Sequence, residues 1–218
     1  SPDKLKRFVE KYNVHVYSSY NEVIGDDSVD CVYIPLPPAF HYEWAKKALL
    51  AGKHVFLEKP STTSADDTKE LVGIAGEKGL VVQENYMFQF HAQLKEIESF
   101  IASGELGKLR LVRTSFGFPR RAEGDFRYVK ELGGGTMMDN GGYTIKLIDM
   151  LLGESMRLVS SQLDYDEKTG IDIFGTAEFV NDDGVIAQAA FGMDCQYQCS
   201  LELWGSRGRL TTGRIYTA

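Results

Sequence analysis

Cysteine is scarce in this chain of 218 residues, which contains only Cys31, Cys195 and Cys199. Three cysteines are too few, and odd in number, for a disulfide framework, so we expect free thiols and a reducing, cytoplasmic compartment. Cys195 and Cys199 have no second cysteine pair and no histidine near them in the sequence. A zinc site is therefore not expected, and we predict no bound metal.

Basic residues are also sparse. The chain has 24 Lys and Arg against 31 Asp and Glu, a formal net charge of -7, and no long basic run. Nucleic acids and anionic membranes bind basic surfaces, so neither is expected as a partner. The longest apolar runs, such as residues 80–82, are far shorter than the roughly 20 residues of a membrane helix, and no secretory leader is visible. Since 43% of the residues are hydrophobic, the sequence predicts one or two domains with packed cores.

The first part of the chain alternates helical and strand-like patterns. Strands separated by helices imply right-handed βαβ crossovers and hence a parallel sheet. We expect the first strand to be buried on both faces, and Ser1 to cap the first helix with Pro2 at its first position. The predicted helices are 2–12, 41–51 and 64–78, and the predicted strands are 29–35, 53–57 and 80–83.

The pattern changes near residues 88–90. Several long strands then follow one another without helices between them, which implies a mostly antiparallel sheet. A strong hairpin turn signal lies at residues 181–184. The predicted helices here are 91–103 and 141–152, and the predicted strands are 108–118, 156–165, 171–180, 185–193 and 198–204.

Three short segments follow the predicted parallel strands: residues 35–41, Glu58-Lys59-Pro60 and Glu84-Asn85-Tyr86. Ligands of open parallel sheets bind at the carboxyl ends of the strands, so these segments should line one edge. A lysine there can point its ammonium group into a cleft, polarise a substrate oxygen and exchange a proton. The alternatives are a solvated loop for the lysine motif and a structural or solvated role for His41.

A glycine-rich segment precedes the helix predicted at 141–152. Five glycines lie within residues 133–142, which allows close backbone approach to another molecule or domain; a flexible loop is the alternative. Asp139 and Tyr143 are four residues apart and so share one helical face. The tyrosine can act as a proton donor and the aspartate can position a hydroxyl or a neighbouring ammonium group, although a core tyrosine stays a serious alternative.

Together these motifs resemble the glucose-fructose oxidoreductase, inositol dehydrogenase and MocA family. Its members are NAD(P)-dependent oxidoreductases of sugars, cyclitols and related alcohols or ketones. The resemblance therefore implies NAD or NADP as cofactor and a sugar-like small molecule as substrate. The matching motifs are Gly52-Lys53-His54-Val55, Glu58-Lys59-Pro60, Gly133-Gly134-Gly135 and Asp139-x-Gly141-x-Tyr143.

The resemblance and the positions at the sheet edge together assign the site. Lys59 matches the family's catalytic lysine and Asp139 its substrate-orienting aspartate, and Tyr143 is expected to donate or accept the proton. The predicted cofactor-binding residues are Pro35, Leu36, Pro37, His41, Glu58, Lys59, Pro60, Glu84 and Asn85. The predicted substrate-binding residues are Tyr86, Arg121, Arg127, Asp139 and Tyr143.

Two departures from the common family pattern indicate a branch. Tyr143 stands where many members carry His, and Lys146 stands where they carry Asp. A tyrosine at this position is similar to glucose-fructose oxidoreductases, dimeric dihydrodiol dehydrogenases and nucleotide-sugar 3-ketoreductases. Residues 118–128 most resemble the nucleotide-sugar ketoreductases. Arg121 or Arg127 can pair there with a diphosphate or a carboxylate, and a solvated loop is the equal alternative.

Family members begin with a strand and a Gly-rich phosphate-binding turn, neither of which is found in this sequence. The resemblance implies an α/β fold: an N-terminally truncated Rossmann domain over 1–88, lacking the first β-α-β, then an α+β domain with a mostly antiparallel sheet over 89–218, C-terminally incomplete. The residues that choose NAD or NADP would precede Ser1.

The antiparallel sheet is expected to mediate a homo-oligomer. Its alternating apolar side chains fit a face that covers either helices or a partner subunit; they are Ile171, Ile173, Gly175, Ala177 and Phe179. Two other functions stay open: a non-catalytic sugar-binding or dimerisation relative without the cofactor turn, and a trans-dihydrodiol dehydrogenase.

Overall fold

The structure, a computed structural model, describes residues 2–153 and 155–217. Ser1, predicted to cap the first helix, lies outside the described residues. The helices are α1 (Pro2–Tyr12), α2 (Tyr20–Gly25), α3 (His41–Leu50), α4 (Ala65–Lys78), α5 (Ala92–Ala102) and α6 (Gly142–Leu152). The strands are β1 (Cys31–Ile34), β2 (His54–Glu58), β3 (Val82–Asn85), β4 (Leu109–Gly117), β5 (Arg157–Tyr165), β6 (Asp172–Val180), β7 (Ile186–Gly192), β8 (Gln198–Gly205) and β9 (Arg209–Thr212).

Strands β1, β2 and β3 form a parallel sheet in that order, as the alternating pattern predicts. Helices α3 and α4 cover one of its faces, and their apolar side chains join those of the strands in a buried core that includes Leu49, Leu57 and Leu71. The register pairs Ile34 with Leu57 and Glu58 with Asn85. Because the strands are parallel and in register, the segments that follow them leave the sheet at one edge.

The expectation that β1 is buried on both faces is wrong. Val32 and Ile34 are buried, but Cys31 is exposed and Tyr33 is 52% exposed. Alternate strand residues point to opposite faces, and α3 and α4 pack on only one of them.

The short helix α2 was not predicted; Ser19 caps it by accepting a hydrogen bond from the backbone N–H of Glu22.

The second sheet has six strands in the order β5-β6-β7-β4-β8-β9. All neighbouring pairs are antiparallel except β4 and β7, which are parallel, so the sheet is mixed and mostly antiparallel. Helix α6 packs on its inner face, where Leu147 and Ile148 are fully buried. The fold class, α/β with a Rossmann-like parallel sheet and a mostly antiparallel second sheet, is confirmed.

The alternating apolar residues of β6 face this inner side. Gly175 lies against the ring of Phe191, and Ala177 belongs to the buried core. This face of the sheet therefore covers a helix of the same chain and not a partner subunit. None of the described helices is long and apolar enough to span a bilayer.

Candidate active site

Hydrogen bonds between neighbouring strand ends hold the Glu58-Lys59-Pro60 segment in place. The Glu58 carboxylate accepts from the Tyr33 hydroxyl at 2.5 Å and from Asn85 Nδ2 at 2.7 Å. Glu84 accepts from the backbone N–H of Ser61 at 2.7 Å. Two residues predicted to bind cofactor, Glu84 and Asn85, thus act on the loop that carries Lys59.

A cavity of about 300 Å³ lies at this edge, between the parallel sheet and the glycine-rich segment. Ligand sites in proteins begin at about this size. Eight of the predicted site residues line it: Pro35, Leu36, Pro37, Glu58, Lys59, Pro60, Arg127 and Asp139. Pro38 also lines it, together with Phe126, Met138, Gly133, Gly134 and Gly135 from the second part of the chain.

Lys59 and Asp139, 80 residues apart, form an ion pair at the cavity. Lys59 Nζ lies 2.5 Å from Asp139 Oδ1 and 2.9 Å from the backbone carbonyl oxygen of Asp139. Both side chains are nearly buried, 12% and 11% exposed. An ammonium group has three N–H donors, so one is left for a further acceptor.

Arg127 binds the other oxygen of the same carboxylate. Its Nε lies 2.7 Å from Asp139 Oδ2. Burial opposes ionisation of Asp139, but the positive charges of Lys59 and Arg127 outweigh it and lower the pKa of this carboxyl. Asp139 is therefore ionised at neutral pH and shared between two cations.

The glycine-rich segment has a defined conformation in the structure. The backbone N–H of Gly135 donates to the carbonyl oxygen of Arg127 at 3.0 Å. A Cβ atom on Gly134 would lie 2.5 Å from that same oxygen, and one on Gly135, whose φ is +119°, would lie 2.2 Å from Asp172 Oδ1. The glycines therefore permit close contact of this segment with Arg127 and Asp172 of the same chain, and the segment is not a flexible loop.

Tyr143 lies behind Lys59 and does not line the cavity. Its ring packs in a cluster with Tyr86, Phe116 and Tyr216, and Lys59 Nζ is 4.9 Å from its centroid. Burial, followed by the charge of Asp139, raises the pKa of Tyr143 to about 12. The hydroxyl is therefore protonated at neutral pH.

Three further predicted residues also lie away from the cavity lining. His41 is fully buried, and its Nδ1 and Nε2 lie 2.8 Å and 2.7 Å from the carbonyl oxygens of Pro60 and Leu36. It thus connects two segments of the cavity wall. Tyr86 is buried edge-on against Tyr143, and the Arg121 guanidinium stacks 4.7 Å from the ring of Phe118.

Sequence reasoning did not select two carboxylates that support the site. Asp125 accepts from the backbone N–H of Arg127 at 3.0 Å and pairs with its Nη1 at 3.1 Å. Asp172 accepts from the backbone N–H of Met137 at 2.7 Å. Asp125 was detectable locally, since an aspartate at the N-cap of a short helical turn commonly accepts from the backbone N–H two residues further on. Asp172 had no local signal, because it lies on β6, 35 residues from Met137.

The comparisons with known proteins cover almost the whole chain. Residues 1–86 match the GFO/IDH/MocA model described as an oxidoreductase family with an NAD-binding Rossmann fold, and residues 94–211 match the model of the GFO/IDH/MocA C-terminal domain.

Three relatives bear on function. The chain is 37% identical over 216 residues, 99% of its length, to dTDP-3,4-didehydro-2,6-dideoxy-alpha-D-glucose 3-reductase of Saccharopolyspora spinosa, and it spans 65% of that protein's length. It is 28% identical to a trans-1,2-dihydrobenzene-1,2-diol dehydrogenase of Xenopus tropicalis, covering 78% of this chain and 52% of that one. Among solved structures, KijD10, a 3-ketoreductase from Actinomadura kijaniata in complex with NADP and TDP-benzene, superposes with a TM-score of 0.95 at 37% identity, covering 99% of this chain and 66% of that one.

Proposed function

Because this chain belongs to the GFO/IDH/MocA oxidoreductase family, we propose that it catalyses hydride transfer between NAD(P) and a sugar, nucleotide-sugar or related alcohol or ketone. One observation carries the proposal: Lys59 lines the cavity at the strand ends while Asp139 holds its ammonium group. Residues 1–88 then form part of the dinucleotide-binding domain, and residues 89–218 contribute the substrate side.

The residues at the cavity fit the nicotinamide end of such a cofactor. Pro35, Pro37 and Pro60 give the cavity an apolar wall, and its volume of about 300 Å³ admits a small planar ring. The cofactor, when bound, supplies or accepts the hydride. Both nicotinamide dinucleotides are compatible with this wall.

The roles of the chain's own residues follow from their contacts. Lys59 Nζ uses two of its three donors on Asp139, so the third donates to the substrate oxygen and polarises it. Asp139 keeps the ammonium group charged and in place. Tyr143 is protonated and lies next to Lys59 but outside the cavity lining, so its proposed part in proton transfer rests on this adjacency and on the family resemblance.

A nucleotide-sugar ketone is the substrate class that we favour. The support is the similarity to the dTDP-sugar 3-reductase and to KijD10, whose structure holds TDP-benzene. Arg121, which has no carboxylate partner among the described residues, is then available to a diphosphate. A dihydrodiol is the second candidate, because of the weaker similarity to the Xenopus tropicalis enzyme.

The test uses the intact protein. NADH and NADPH are titrated while nicotinamide fluorescence is followed. Oxidation of the bound reduced cofactor is then measured with a dTDP-3-ketosugar, and reduction of NAD+ or NADP+ is measured with a free sugar and with an aromatic dihydrodiol. We expect binding of at least one dinucleotide and turnover with the dTDP-3-ketosugar. Turnover with the dihydrodiol alone would select the second candidate. Dinucleotide binding without any turnover would indicate a non-catalytic relative and contradict the proposal.

Replacing Tyr143 by Phe distinguishes the contribution of the hydroxyl group from that of the aromatic ring. Phe keeps the aromatic packing and the face presented to Lys59, so the fold should be retained. We expect kcat to fall about 100-fold, within the range of general acid catalysis, with the dissociation constant of the cofactor unchanged. The control is Tyr197→Phe, which removes an exposed hydroxyl bonded to Thr217. An unaltered kcat in Tyr143→Phe would assign the proton to Lys59 alone.

We also propose that the protein is cytoplasmic and forms homo-oligomers through the outer face of the mixed sheet. The three cysteines are free thiols, as in a reducing compartment. Large apolar side chains on the outer face are partly exposed, among them Phe174, Ile186 and Trp204. Sedimentation of the intact protein checks the oligomeric state, and cell fractionation checks the compartment.

A further inference from the structure

Four side chains of alternating charge form a continuous row at the cavity: Asp125, Arg127, Asp139 and Lys59. Arg127 Nη1 lies 3.1 Å from Asp125 Oδ1, Arg127 Nε lies 2.7 Å from Asp139 Oδ2, and Lys59 Nζ lies 2.5 Å from Asp139 Oδ1. The two arginine nitrogens that make these bonds belong to one rigid planar group, so the two carboxylates are held at a set distance from each other.

The backbone of Arg127 is fixed as well as its side chain. Its N–H donates to Asp125 at 3.0 Å, and its carbonyl oxygen accepts from Gly135 at 3.0 Å. The ring of Phe126 lies 4.6 Å from the guanidinium carbon. Arg127 is therefore built into the wall that also carries Asp139, unlike an arginine that waits in solvent for an anionic ligand.

We propose that Arg127 is a positioning residue: it occupies one oxygen of Asp139 so that only the other faces Lys59, and Asp125 fixes Arg127 in that place. This inference rests on the proposed function for its effect on turnover. It assigns to Arg127 a role different from direct substrate binding, for which Arg121 is the remaining candidate in the same segment.

The physical consequence of losing Arg127 is a change at Asp139. With Oδ2 unpaired, the carboxylate is free to turn and to take further donors of the Lys59 ammonium group, including the one that the substrate oxygen needs. The ionisable groups around Asp139 are Lys59 beyond β2, Arg127 in the turn Phe126–Tyr128, Tyr86 beyond β3 and Tyr143 on α6. Of these, only Lys59 and Arg127 carry positive charge, so removal of Arg127 raises the pKa of Asp139.

The experiment compares Arg127→Gln with Arg120→Gln in the intact protein. Arg120 lies in the same segment and pairs with Asp166 at 3.0 Å, so its variant makes the same charge change away from Asp139. For Arg127→Gln we expect kcat to fall roughly 10- to 100-fold with little change in the KM of the substrate. The acid limb of the pH profile should move to higher pH, because Asp139 then becomes protonated at a higher pH. Arg120→Gln should leave both the limb and kcat in place.

Two further variants guard against simple misfolding. Asp125→Asn keeps the acceptor for the backbone N–H but loses the charge that holds Nη1, so the same shift in the acid limb should appear in smaller size. In Arg127→Ala, free guanidinium at non-denaturing concentration should restore part of the lost kcat. A rise in KM with kcat and the acid limb unchanged would show that Arg127 binds substrate and would overturn the inference.

A readout independent of turnover separates this inference from the proposed function. The carboxyl carbon of Asp139 is followed by NMR during a pH titration of the protein and of Arg127→Gln. A higher pKa of Asp139 in the variant supports the positioning role even where no substrate is turned over. The lack of turnover by itself contradicts only the proposed function. An equal pKa in both proteins overturns the positioning role, whatever the turnover.

Discussion

Replacing Lys59 by Met is expected to lower kcat by roughly 1000-fold while the dissociation constant of the dinucleotide changes little. Methionine preserves most of the apolar stem, so the cavity keeps its wall, but the ammonium group that polarises the substrate oxygen is lost. The loss is measured by the oxidation rate of the nicotinamide cofactor at saturating substrate, with binding measured separately by fluorescence.

The physical basis of this expectation is the placement of the Lys59 charge. The side chain is 12% exposed, and its ammonium group is held by both the carboxylate and the backbone carbonyl of Asp139. In such a shielded site a preorganised donor is worth far more than in water. After substitution Asp139 still pairs with Arg127, so the fold should persist.

The control for this prediction is Lys69→Met. Lys69 lies on α4 with its side chain 78% exposed and faces Asp66 at 3.4 Å, so the same chemical change there should leave kcat unaltered. Wild-type turnover in Lys59→Met would sink the assignment of Lys59 as the catalytic group.

Replacing Asp139 by Asn is expected to have the largest effect on stability, a loss of about 3–5 kcal/mol in the free energy of unfolding. The substitution removes the negative charge between Lys59 and Arg127. The nearly buried Lys59 ammonium group then faces a neutral amide, while Arg127 keeps only its pair with Asp125. It should also lower kcat, because the Lys59 ammonium group loses the partner that fixes it. Urea unfolding at neutral pH measures the first effect.

The stability difference between the wild type and Asp139→Asn should depend on pH in one direction. The pKa of Asp139 is lower in the folded protein than in the unfolded chain, so ionised Asp139 stabilises the fold at neutral pH. This contribution disappears as the pH falls through the folded pKa, and the two unfolding free energies should converge in acid.

Asp149→Asn is the matched control: Asp149 pairs with Lys146 at 3.3 Å with 42% of its side chain exposed, and such surface pairs contribute about 0–1 kcal/mol. A difference that stays constant with pH would contradict the assigned charge of Asp139.

Much of the fold could be predicted because its signals are local. Helical spacing of apolar residues and short β-branched runs placed α3, α4 and the three parallel strands. The parallel pair β4 and β7 could not be predicted in this way. These strands are far apart in the sequence, and nothing in a strand's own alternation specifies which neighbour it takes.

The candidate site divides in the same manner. The rule that ligands bind at strand ends selected Glu58-Lys59-Pro60 from its position alone, and those residues do line the cavity. The same rule also selected Glu84 and Asn85, whose side chains instead bond to the Lys59 loop. Position along a strand places the backbone at an edge but leaves open which side chains reach a ligand.

The sequence by itself determined most of the helices and strands, the parallel direction of the strands in the first sheet and the presence of a lysine at its edge, because each depends on spacing within short stretches of the chain. Only the tertiary structure decided which side chains contact that lysine. Asp139 reaches Lys59 across 80 residues and shares its carboxylate with Arg127, while Tyr143 is placed behind Lys59 in an aromatic cluster. These contacts arise where the glycine-rich segment packs against the edge of the parallel sheet, and the energy of an ion pair depends on the burial and distance that such packing creates.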